Sequence, residues 1–315
     1  MTRSIEEILK DFPSILGGGK ISANTFSYTT QVVKEFNSYI NDLLPDSVER
    51  VKYIINTMLQ DDNTDNTKKT PNRIFYLSKI LGIDSTILRR AIGTKNKEGK
   101  APPLRWLPYT YSEKIAHLGG KMSCHELYTG EKGMTLLPHR FSAIVQSIQK
   151  SKDPDKKREE ITAIVNATKD KNSKNYYNIY NDPNYGNFTA EMSRKRLDDI
   201  CDDRYISRLR IIRNLPSQMG VTMSQVFRGT SDPKYPNSKT RTPTVISVAF
   251  IVGTTVDYFC AIDYLRFTKA YYYSTDGEKQ IVKTKDMNWL RTLVSLPDDI
   301  QERVMKDIYV SLFAD

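Results

Sequence analysis

A mainly α-helical protein, with two related helical units joined by a helical linker region, is the fold class this 315-residue sequence predicts. Three observations predict it. Apolar residues recur at three- and four-residue steps in SVERVKYIINTMLQ (47–60), MTLLPHRFSAIVQSIQ (134–149), KKREEITAIVNAT (156–168) and DDIQERVMKDIYVSLF (298–313), the period of an amphipathic helix. Strand-like alternation is scarce, and AYYYSTDGEKQIVKT (270–284), with Asp276-Gly277 at its centre, is the one good hairpin candidate. Finally, a block of sequence pattern occurs twice in the same order, as internal repeats do.

Taken in order, the chain divides into an N-terminal helical segment (1–45), a first unit with its following helix (46–150), a helical linker (151–194) and a second unit with a C-terminal helix (195–315). The opening stretch has acidic residues and no continuous apolar core, so it does not read as a secretory signal. Its Gly17-Gly18-Gly19-Lys20 lacks the spacing of a phosphate loop and reads as a turn between helices. Polar loops are expected at 61–72, 94–103, 151–157, 169–187 and 230–243. The most apolar run, Val245 to Ile262, holds a single charge, Asp257, and is interrupted by Gly253-Thr254-Thr255. That interruption predicts two short helices, 244–252 and 256–264, with Gly253 at a C-cap and Thr255 as the next N-cap, and no membrane span.

The repeat sets YLSKILGIDSTILRRAIG (76–93) above NLPSQMGVTMSQVFRGTS (214–231), so that Leu77 matches Leu215, Gly82 matches Gly220 and Ile83 matches Val221. Farther on, SEKIAHLGGKMSCHELYTG pairs with ISVAFIVGTTVDYFCAID, and Leu137-Pro138 pairs with Leu296-Pro297. Physically the first block describes two short helices and a tight turn. The glycine takes a backbone angle denied to other residues, the next aliphatic side chain plugs the corner, and Asp84 or Thr222 caps the second helix. Such a helix projects its first side chains outward, the arrangement that enters a major groove.

This pattern, followed by a basic loop and then GTTVDYF or KMSCHELYTGE, resembles the lambda-repressor-like (Xre/Cro-type) helix-turn-helix family. The resemblance implies two tandem DNA-reading heads, of the kind found in phage or mobile-element regulators. It departs from the family at Pro216, which stands inside the second unit's expected helix. By the same resemblance, Ser85, Thr86, Arg89 and Arg90 follow Asp84 in the first reading helix. Thr222, Met223, Ser224, Gln225 and Arg228 form the second. Gln and Arg side chains suit adenine and guanine edges, and Ser, Thr or Met suit thymine methyls and phosphates. The loops behind them add Lys95, Lys97, Lys100 and Arg105 against Glu98, and Lys234, Lys239 and Arg241 against Asp232. Cations so placed would lie along phosphates.

Composition agrees with this direction. Charged residues are 27% and hydrophobic residues 39%, with a net charge of +10, values of a folded chain suited to a polyanionic partner. Three widely spaced cysteines without a CxxC point to a reducing, cytoplasmic setting. His117, His125 and His139 show no metal spacing, and no HxxR box or nucleophile constellation occurs, so no enzyme, metal or cofactor is expected. The expected function is a sequence-specific, double-stranded DNA-binding transcription regulator, a repressor by analogy. The remaining helices would set the head spacing or offer a surface to a homodimer or to a regulatory protein or peptide. The first rival reading is a protein-interaction module, such as an antirepressor or adaptor, that reuses the same fold; the second is a DNA-modifying or replication-initiating enzyme, which would need a metal or a nucleotide.

Overall fold

Phe36, Ile40, Leu44, Ser47, Val51 and Ile54 recur at three- and four-residue steps, which places them on one helical face, and all six are buried. In the computed structural model of this chain they line α1 (Thr30–Asp61). The structure describes residues 7–8, 30–61, 70–93, 95–96, 99–100, 102–178, 188–203, 207–208, 211 and 241–313. Pro45 lies inside α1, so the boundary expected between 45 and 46 falls within one continuous helix. Proline removes one backbone bond, to residue 41. Asn41 and Pro45 both face solvent, where water can take the freed carbonyl.

Among the described residues the first half continues with α2 (Thr70–Leu81), α3 (Ser85–Ile92), a small hairpin of strands β1 (Lys95–Asn96) and β2 (Gly99–Lys100), a 3-10 turn (Tyr109–Tyr111), a π-helical turn (Lys114–Gly120) and α4 (Cys124–Thr129). Next come β3 (Met134–Leu136), α5 (His139–Lys150) and α6 (Pro154–Asn166). The helix expected over 134–149 thus begins only at His139, behind Pro138. The residues before it pair with a strand more than a hundred positions away, and no local pattern announces that. The second half is α7 (Ala190–Asp203), α8 (Thr242–Ile251), α9 (Asp257–Cys260), β4 (Lys269–Tyr273), β5 (Lys279–Ile281), α10 (Thr284–Val294) and α11 (Asp298–Phe313).

The architecture is mainly α, with one three-stranded sheet of order β3-β4-β5 among the described residues. β3 and β4 run parallel, with Thr135 opposite Ala270; β4 and β5 form the antiparallel hairpin that Asp276-Gly277 predicts. In both halves a helical segment (Lys114–Gly120; α8) is followed by a shorter helix (α4; α9) and then by one of the two parallel strands. The halves interlock rather than sit apart. α1 packs on α3, α4 and the π-helical turn of its own half and also on α8 of the other.

The stretch expected to be a linker carries core structure. α6 packs against α5, α10 and α11. Arg158 reaches Asp286 of α10 at 2.6 Å with both side chains buried, and Lys157 donates to the Ser311 carbonyl of α11 at 2.7 Å. A connector would have neither the apolar face (Ile161 and Val165, both fully buried) nor these bonds.

Across the apolar run, α8 is almost wholly buried, and no helix among the described residues is long and apolar enough to cross a membrane. Gly253 does take the left-handed conformation expected of a C-cap, at φ 72. The second helix differs from expectation in two ways. Thr255 is not its N-cap; its hydroxyl is hydrogen-bonded to that of Thr135 on β3. The helix also stops at Cys260 instead of reaching 264, because Arg196 of α7 takes the carbonyls of Tyr258, Ala261 and Ile262. Carbonyls so engaged pull the chain out of the helical ladder, and Ala261 is already extended.

Candidate functional site

The α2–α3 corner follows from residues 78–86. Gly82 stands at φ 58, the Ile83 N–H donates to the Ser78 carbonyl at 3.0 Å, and the Gly82 N–H donates to Lys79 at 3.3 Å. This pair of bonds is the Schellman ending of a helix. Ile83 is buried at the corner, and Asp84 caps α3 by accepting from the Thr86 N–H at 2.7 Å. Gly93 closes the far end at φ 72. Lys114 of the π-helical turn donates to the Gly82 carbonyl, and a Cβ added to Gly82 would come 3.0 Å from that ammonium. Gly82→Ala is therefore expected to lose about 1–2 kcal/mol of stability, from left-handed strain plus the crowded lysine; urea unfolding measures it.

On α3, Thr86 is exposed, while Ser85, Arg89 and Arg90 are half-buried. Arg90 has a structural duty: its guanidinium donates to the carbonyls of Pro102, at 2.9 Å, and Pro103. It fastens the chain leaving the hairpin back onto α3. The loop expected at 94–103 contains the β1–β2 hairpin, with Lys95 directly opposite Lys100. Arg105 beyond it is exposed. Lys97 lies outside the described residues, as do Thr222, Met223, Ser224, Gln225, Arg228, Lys234 and Lys239 of the second expected head. Arg241 is exposed and forms the N-cap position of α8.

A second constellation lies where the halves meet. The six-residue helix α4 is held at both ends by charges matched to its dipole. At its start, the Asp257 carboxylate accepts from the Cys124 N–H at 2.7 Å and the His125 N–H at 2.9 Å. At its end, Arg50 of α1 donates to the carbonyls of Leu127 and Tyr128 at 2.8 and 2.9 Å. Asp257, the lone charge of the apolar run, is 1% exposed. His117 stands beside it, with Nε2 3.6 Å from Asp257 Oδ1 and Nδ1 3.5 Å from Glu113 Oε1. Glu113 is fixed in turn by the Ile262 N–H at 2.9 Å.

Burial disfavours the charged form of His117, but the two carboxylates outweigh it and lift the imidazole to about 9. Burial instead lowers His125, whose neutral Nδ1 accepts from the Val256 N–H. Burial also pushes the Cys124 thiol well above its usual range. His117, Cys124 and Asp257 place one potential ligand atom each within 4.8 Å of the others, the one such group among the described residues. Histidine spacing gives no hint of it, because the three residues come from three segments of the chain. The legible signal is Asp257 itself, since a carboxylate alone in an apolar run needs a buried partner.

Comparison of the chain with protein-family models, curated proteins and solved structures gave no match.

Proposed function

We propose that the chain is a sequence-specific, double-stranded DNA-binding regulator of transcription, with α3 entering the major groove and the β1–β2 hairpin lying along phosphates. The observation that carries this reading is the corner itself. A helix capped at both ends presents an exposed Thr86 in its first turn and runs straight into a hairpin that pairs two lysines. The second head rests on the sequence pattern of 214–231 and its similarity to 76–93. Two heads on one chain would read half-sites about 34–36 Å apart. Repression is the working assignment by the same analogy.

One observation favours the second reading, a module that binds another protein. Phe75, Tyr76 and Ile80 on α2 are more than half exposed, at 54, 58 and 62%. A helix lying across a DNA backbone gains nothing from such a face, whereas a protein interface does.

Selection from a random duplex library at about 150 mM salt separates the two, because specific sites should outcompete random DNA at least a thousandfold under those conditions. A two-part motif supports two working heads. A one-part motif restricts reading to the α3 head. Absence of any enriched motif, with binding that fades smoothly as salt rises, rejects the regulator reading in favour of a protein partner.

A further inference from the structure

We propose that His117, Cys124 and Asp257 bind one divalent transition-metal ion, zinc by preference, that ties the two halves of the chain together. The distance between His117 Nε2 and Asp257 Oδ1, 3.6 Å, is too long for a hydrogen bond. It is close to the separation of two atoms bound tetrahedrally to one zinc at bond lengths of about 2.0–2.2 Å. Nε2 has no hydrogen-bond partner, although His117 is only 3% exposed. Unpaired polar atoms so deep in a fold are rare and call for an explanation.

The other ring nitrogen supports the same answer. It faces Glu113, and a carboxylate behind the imidazole is the arrangement that orients metal-bound histidines. Asp257 has room for a cation as well. Its two bonds to the N–H groups of α4 use one lone pair on each oxygen and leave another on each. A sulfur, a nitrogen and a single carboxylate form a set that suits zinc and excludes magnesium or calcium, which demand oxygen cages. The Cys260 thiol interacts with that of Cys124 and donates to the Val256 carbonyl at 3.0 Å. All three donor residues are buried, so an ion bound there would be shielded from solvent.

The test is elemental analysis of the full-length protein, produced with zinc in the medium and purified without chelators. Cobalt is then titrated anaerobically into the reduced, chelator-stripped chain. About one zinc per chain, and a thiolate-to-cobalt charge-transfer band that saturates at one equivalent, are expected. Cys124→Ser and His117→Gln should lose both signals, and Cys201→Ser should keep them. Should either variant fail to fold, the wild type still decides through its own cobalt band and a fall in its unfolding midpoint on dialysis against chelator. Metal-free protein with no cobalt band overturns the proposal and leaves His117 as an imidazolium held between Glu113 and Asp257. Full metal content in Cys124→Ser overturns it equally.

Discussion

Asp257→Ala is expected to lower the stability of the chain by about 3–5 kcal/mol, the usual consequence of removing one partner from a buried charged network. The loss has two separable parts. The Cys124 and His125 N–H groups, both buried at the start of α4, would be left without an acceptor, at about 1–3 kcal/mol each. His117 would then face Glu113 alone across 3.5 Å. Asp257→Asn divides these parts. It keeps the shape and one acceptor, but its amide group opposes the second N–H, so a loss of about 2 kcal/mol is expected. Urea unfolding followed by circular dichroism measures both variants. A loss under about 1 kcal/mol for the alanine variant would put Asp257 in the class of surface charges and refute the capping role.

What the sequence makes legible is what a few neighbouring residues decide. Gly82, Ile83 and Asp84 encode a helix end, a plug and a cap within three positions, and the structure has all three where that pattern places them. Asp276-Gly277 likewise encodes the β4–β5 turn with Gly277 at φ 81. The misjudged elements are those whose partners lie far along the chain. Thr255 has the side chain of a helix cap, yet its hydroxyl goes to Thr135. Met134–Leu136 continues a helical period but is drawn into a strand by β4.

Charge followed the same rule. Arg90, Arg50 and Arg196 each spend their guanidinium on backbone carbonyls of another segment. A basic excess of +10 therefore overstates the charge free to meet a polyanion. The buried centre illustrates the converse. Asp257 alone stands out in the sequence; Glu113, His117 and Cys124 do not, and only the interlocking of the halves makes the four neighbours. Sequence spacing finds metal or polar centres built on one helix or loop; it is blind to one assembled across 140 residues, from 117 to 257.

The paired lysines of the β1–β2 hairpin provide the sharpest test of how DNA would be held. Lys95→Ala with Lys100→Ala removes two cations placed opposite each other in the strand register. If each neutralises one phosphate, the slope of log affinity against log salt should become shallower by about 1.8. Relative to 1 M salt, that corresponds to roughly a thirtyfold loss of affinity near 0.15 M. Sequence preference should not change, since phosphate contacts fix position and carry no base information. Thr86→Ala should behave in the opposite way, leaving the slope alone and relaxing preference at one base position by about 1–3 kcal/mol at most. Arg90→Ala should do both damagingly, because it releases the chain that anchors the hairpin to α3. Binding titrations of a selected and a scrambled duplex across a salt series measure all three. If the double lysine variant keeps the wild-type slope, the hairpin does not touch phosphate, and the exposed face of Phe75, Tyr76 and Ile80 becomes the better place to look for the partner.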